Sequence, residues 1–340
     1  MSAVSLKRKQ ILQSALFLVI GIGLFWWVYR DMDLETFYNS LDKLNYTWIV
    51  VSILLNLLSQ LFIALRWKML ITPMNYNPRL FNLYLAVLVL SFTNIVIPRG
   101  GEIARGGVVS KYDNIPFSKL LGTVVVERIT DLTALLVLFG VLLTWQYERI
   151  TALLESSAFD IDFQYVSSKY LTGIIIASGV LILLIFAYKL GVFKKFKRKI
   201  LKLKHEFTEG IKAILGVKHT GKYIFYTFLI YFLWLSMLFV VFFAYEPTEN
   251  LGFGAAAFTF GLSTFAFLLP IQAGIGAWHF VVIQCLLLLG IPEEAGMVFA
   301  LVAHSFTNLI FLVIGAIAFA LFPLLNSNKK FPQTQRHKKN

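Results

Sequence analysis

An unbroken run of about 20 apolar residues is long enough to cross the hydrocarbon core of a bilayer. This chain of 340 residues contains seven charge-free runs of that kind, at 11–29, 46–65, 80–97, 170–188, 223–245, 250–278 and 295–328. An eighth, about 119–147, would match but for Glu127, Arg128 and Asp131 in its interior. Hydrophobic residues make up 58% of the sequence, above the 45–50% of soluble domains, so a soluble globule and a disordered chain are both excluded. The net charge of +13 would suit nucleic acid, but the apolar content does not. The expectation is an all-α polytopic membrane protein. A single cysteine, Cys285, excludes an internal disulfide and a thiolate cluster. Lys7, Arg8 and Lys9 precede the first run, which lacks a small-residue cleavage site and reads as a retained helix.

Lys and Arg mark cytoplasmic segments. The first ten residues, 66–79, 189–222 and the tail after Leu324 hold 22 of the 31 cations. Segments 30–46 and 147–170, with Glu246, Glu249, Glu293 and Glu294, hold 12 of the 18 acids and read as the outer side. Both termini are then cytoplasmic.

These assignments conflict if every run crosses. Run 46–65 ends inside and 119–147 starts inside, so 80–97 has to enter, turn at Pro98-Arg99-Gly100-Gly101 and return through 102–112. By the same reasoning 251–290 is a second re-entrant hairpin, turning between Pro270 and Gly276. The expected architecture is six spanning helices plus two re-entrant helical hairpins in one membrane domain, 1–340. A shift of 176 residues places Pro116 on Pro292 and Arg128 on His304, which gives an inverted repeat of 11–147 and 171–323. Such repeats build many secondary transporters, with the site at the repeat interface.

Charge inside the membrane is costly and marks candidate sites. Glu127 and Asp131 are four apart and share a helix face; Arg128 and Asp131 are three apart and can pair. They read either as a structural ion pair or as a setting that holds Arg128 toward an anion. Arg99, Gly100, Gly101, Glu102 and Arg105 form a turn and helix start suited to a phosphate, with a local Glu102–Arg105 pair as the plainer reading. The counterpart turn offers Gln272, Gly274, Gly276 and His279, and the last helix offers His304 and Asn308. The membrane histidines read more simply as hydrogen-bonded structure. Asn56 and Gln60 read as glue between helices. No metal or other cofactor is expected, because His279 and His304 supply too few zinc ligands.

Residues 192–215 place Phe196, Ile200, Leu203, Phe207, Ile211 and Ile214 at helical spacing among Lys and Arg. Segment 189–222 is therefore a basic amphipathic stretch on anionic lipid at the cytoplasmic face. No Walker loop is present, so ATP hydrolysis by this chain is excluded.

Pro98-Arg99-Gly100-Gly101-Glu102 with Arg105, Ile115-Pro116 and Glu127-Arg128-Ile129-Thr130-Asp131 resembles the signature of the lysylphosphatidylglycerol synthase transmembrane, flippase-like, family. The Pro270-to-Gly276 turn is similar to the family's second-half turn, although Trp278-His279 stands where many relatives carry an Arg-Glu pair. The resemblance implies a polytopic protein of the bacterial inner membrane that moves lipids or lipid-linked sugars between leaflets. The sequence stops at Asn340 without the aminoacyl-transferase domain of full-length relatives, so lipid synthesis is not expected. The leading expectation is an ATP-independent flippase rather than an enzyme, acting on anionic membrane lipids. A membrane-embedded enzyme using Glu102 or His279 as base, and a non-transporting partner of a lipid synthase, are the alternatives. A second copy of the chain is a further candidate partner; nucleic acid is not.

Overall fold

The computed structural model describes residues 19, 21–97, 100–145, 217, 219–268 and 271–326. The expected helices at 170–188 and 192–215 lie outside that range. So do the acidic loop 147–170, Pro98, Arg99, Pro270 and the ends of the chain.

Among the described residues every regular element is helical. In chain order they are α1 (21–29), α2 (Leu34–Asp42), α3 (Tyr46–Ile71), α4 (Leu80–Val96), α5 (Gly101–Asp113) and α6 (Phe117–Trp145). They continue with α7 (Thr220–Phe242), α8 (Phe253–Thr264), α9 (Ala277–Leu288) and α10 (Glu293–Asn326). Among the described residues, three stretches are long and apolar enough to cross a membrane: Tyr46–Met74, Thr220–Phe242 and Glu293–Asn326. Helix α6 has 29 residues but carries Glu127, Arg128 and Asp131 near its middle, besides Lys119 in its first turn. The protein is a helical membrane protein.

Helix α3 corrects one expectation. It does not end at Arg66 but continues to Ile71, because Trp67, Leu70 and Ile71 are all fully buried. Arg66 is therefore not part of a cytoplasmic connection; it is 2% exposed inside the protein.

The long contacts are α3 along α7 and α4 along α10. Helix α5 folds back on α4, and their crossing is close: a Cβ on Gly101 would stand 2.7 Å from Asn94 Oδ1. The Gly101 N–H donates to that oxygen at 2.9 Å, so a side chain of α4 caps α5. The second hairpin is more broken. Helix α8 passes into a 3-10 turn at Phe265–Leu268, a second follows at Gln272–Gly274, and α9 starts at Ala277. Ala273, Gly274 and Gly276 all have positive φ. Gly276 also lies against α1, where a Cβ would meet Leu24 Cβ at 2.6 Å.

Element starts recur at an offset of 176: α5 and α9 at 101 and 277, α6 and α10 at 117 and 293. Asn114 and Gly290, related by the same offset, are both left-handed, with φ of 54° and 83°. Pro116 and Pro292 follow two residues later in each case.

Candidate functional site

Four charged side chains from three helices meet between α3, α5 and α6. Arg66 of α3 donates to Asp131 Oδ1 of α6 at 2.7 Å and lies 3.9 Å from Glu127 Oε1. Arg105 of α5 donates to Glu127 Oε2 at 2.5 Å. Arg66, Arg105 and Glu127 are essentially inaccessible, and Asp131 is partly so. Two cations and two anions balance, which is how charge survives burial.

Neutral side chains complete this network. Arg66 Nη1 donates to Thr227 Oγ1 of α7 at 3.3 Å, and the Tyr231 hydroxyl donates to the Asp131 carbonyl at 2.9 Å. The Arg105 guanidinium lies 4.2 Å from the ring centroid of Trp67, whose Nε1 donates to Thr123 Oγ1 at 2.8 Å. A stacked, always-charged guanidinium suits such a buried position better than an ammonium would. The Nε groups of Arg66 and Arg105 and the Glu127 Oε1 atom have no hydrogen-bond partner among the described residues.

Arg128 is placed differently. It sits one residue on from Glu127, so its side chain leaves the buried face, and it is 56% exposed. It reaches Asp131 Oδ2 at 3.1 Å and stands 3.8 Å from Glu102 Oε1. Glu102 and Asp131 are both about one-fifth exposed. The local Glu102–Arg105 pair does not form: α6 draws Arg105 inward to Glu127, while Glu102 turns to Arg128. Below Arg128 the outward face of α6 is apolar, with Ile129, Leu132, Leu136 and Val137 each more than half exposed. Gly100 and Gly101 form the turn that starts α5.

A second polar group lies at the broken turn between α8 and α9. His279 and His304 are in ring contact, with centroids 4.4 Å apart, among Phe25, Tyr29 and Trp278. His304 Nε2 donates to the Ala273 carbonyl at 2.8 Å, which leaves Nδ1 to accept from Asn308 Nδ2 at 3.0 Å. His279 Nδ1 accepts from the Gly276 N–H at 3.2 Å, and its buried Nε2 has no hydrogen-bond partner among the described residues. Gln272 is buried beside this turn, and Gly274 shapes it. Among the described residues, no group of three or more His, Cys, Asp or Glu side chains could hold a metal ion.

The expected site residues that the structure describes thus fall mainly into two clusters. Arg105, Glu127, Asp131, Arg128 and Glu102 are together; His279, His304 and Asn308 are together. The hydrogen bonds and ion pairs of one share no residue with those of the other. Sequence reasoning did not identify Arg66, Trp67, Thr227 or Tyr231 as part of the first cluster. The available signal was the apolar pattern continuing through Trp67, Leu70 and Ile71, which keeps Arg66 inside the helix.

A sequence profile of the lysylphosphatidylglycerol synthase transmembrane region matches residues 13–315. The chain belongs to this family. Within the family's region lie both hairpins and both clusters. A UPF0104 membrane protein of Methanocaldococcus jannaschii is 29% identical over 135 residues, which are 39% of this chain. The matched part spans 40% of that relative's length. No solved structure matches the chain.

Proposed function

We propose that this member of the lysylphosphatidylglycerol synthase transmembrane-region family is an ATP-independent flippase, not an enzyme. Its substrate is a phospholipid or lipid-linked anion carried between the leaflets of a bacterial inner membrane. The observation that carries this reading is Arg128: a half-exposed cation at the edge of a neutralised buried network, above an apolar helix face. The arginine would hold a phosphate, with Glu102 and Asp131 orienting its guanidinium, while acyl chains stay in the bilayer. Arg105 and Arg66 hold the supporting helices together and do not themselves bind the anion, since each already pairs with a buried carboxylate.

The topology we assign has six crossings and two re-entrant hairpins, arranged as an inverted repeat with cytoplasmic termini. Helix lengths support it. Helices α5, α8 and α9 have 13, 12 and 12 residues, or about 18–20 Å at 1.5 Å per residue, short of the roughly 30 Å hydrocarbon core. Broken helices at that depth persist where protein or a water-filled cavity surrounds them.

Leaflet-asymmetry assays on reconstituted vesicles test the role of Arg128. Arg128→Ala, at an exposed side chain, should fold and lose lipid translocation. Unchanged translocation in the folded variant overturns the assignment. One observation favours a second reading, a non-transporting partner of a lipid synthase: the buried charges balance without any substrate. A wild-type protein that co-purifies with a synthase and moves no lipid would support that reading.

A further inference from the structure

A groove of about 390 Å³ lies between α5 and the C-terminal end of α10, away from both clusters. Ala104, Gly107 and Val108 form one wall, and Phe319, Phe322 and Pro323 the other. It occupies a different face of α5 from Gly101, Arg105 and Val109, which are buried against the protein. Space remains beside Gly107, where an added Cβ would meet no atom within 4 Å.

The groove has one charged end. Lys111 is exposed there, its ammonium 5.0 Å from the Tyr112 ring centroid, and that ring stacks on Phe322 at 5.4 Å. Among the described residues no carboxylate pairs with Lys111, so its charge is open to an anion from outside. Asn82, near the start of α4, bonds both Asp113 at 3.0 Å and Asn326 at 3.3 Å, so the end of α5 and the end of α10 share one level. Arg79 and the five cations after Leu324 flank that level in sequence and mark it as cytoplasmic. That is the leaflet surface where anionic headgroups collect.

We infer that this groove binds one anionic phospholipid of the cytoplasmic leaflet, with an acyl chain between α5 and α10 and the headgroup phosphate on Lys111. Apolar walls take the chain, an aromatic floor carries the lysine, and the cation selects the charge. The bound lipid sits on the outer face of the first hairpin, on a different side of α5 from Arg105.

The test uses the full chain in vesicles with phosphatidylglycerol or phosphatidylcholine bearing a photoactivatable acyl chain, and maps labelled peptides by mass spectrometry. Phosphatidylglycerol should label segments 104–112 and 319–323 about fivefold more than phosphatidylcholine, the ratio one surface lysine supports. Lys111→Gln should abolish that preference. Gly107→Phe, which puts a ring into the open space, should abolish labelling by both lipids. Should Gly107→Phe fail to fold, the exposed Lys111→Gln decides alone. Equal labelling of the wild type by both lipids, preference retained in Lys111→Gln, or labelling retained in a folded Gly107→Phe overturns the site. Excess inorganic phosphate should leave the labelling unchanged, and displacement by it overturns the lipid assignment. The readout involves no translocation, so failure of the flippase reading leaves it intact.

Discussion

Glu127 holds the centre of the charged network: it is 0% exposed and faces two arginines. Removing one partner of a buried pair leaves the other charge uncompensated, at about 3–5 kcal/mol. Glu127→Ala should therefore lower thermal stability strongly, and Glu127→Leu with Arg105→Met should recover most of the loss. A double variant no more stable than Glu127→Ala would refute the pairing as the source of the cost. The acids and Arg128 stand out in the sequence because nothing else in the interior of that run is charged. Arg66 does not, because Arg66-Trp67-Lys68 at the end of an apolar run has the same composition as a basic connection. Its partner Asp131 is 65 residues away, and only packing brings them together.

The hairpin turns depend on backbone conformation more than on side-chain chemistry. A β-carbon in the left-handed region costs roughly 1–2 kcal/mol. Gly290 has φ of +83° and open space around it, so Gly290→Ala should cost only about that much. Gly276 has φ of +82° and also lies against α1, so Gly276→Ala adds a clash with Leu24 and should cost clearly more. Asn114→Gly, at the matching position in the first half, should be neutral or stabilising, since Asn pays a strain there that glycine avoids. Thermal unfolding of the three variants ranks them; Gly276→Ala at or below the cost of Gly290→Ala would refute the close approach of α1. The positions of these turns follow from Pro, Gly and Asn in the sequence. Their contents do not: Asn94 capping α5 and His304 bonding Ala273 both need a tertiary approach that no local spacing encodes.

At the scale of the whole molecule, apolar run lengths and the placement of Lys and Arg carry the class and a proposed topology. They do not carry which side chains face one another across the two halves. The offset of 176 puts Arg128 and His304 in register, yet Arg128 sits among acids and His304 among aromatic rings. Register relates positions along helices, whereas facing depends on how those helices rotate and cross. The re-entrant assignment is testable on the same scale. In a Cys285→Ser background, single cysteines at Tyr76, Ile97, Asn114 and Glu249 can be probed with a membrane-impermeant thiol reagent from each side. Tyr76 and Asn114 flank the first hairpin and should both react from the cytoplasmic side, while Glu249, before α8, should react from the outside. Ile97 at the tip decides the matter: a hairpin that turns back within the membrane keeps it closed to reagent from outside, whereas a full crossing by α4 exposes it there. With only 13 residues in α5 to return across the bilayer, outside labelling of Ile97 would require local thinning of the membrane to about 20 Å. That result would replace the re-entrant hairpin with two short spans.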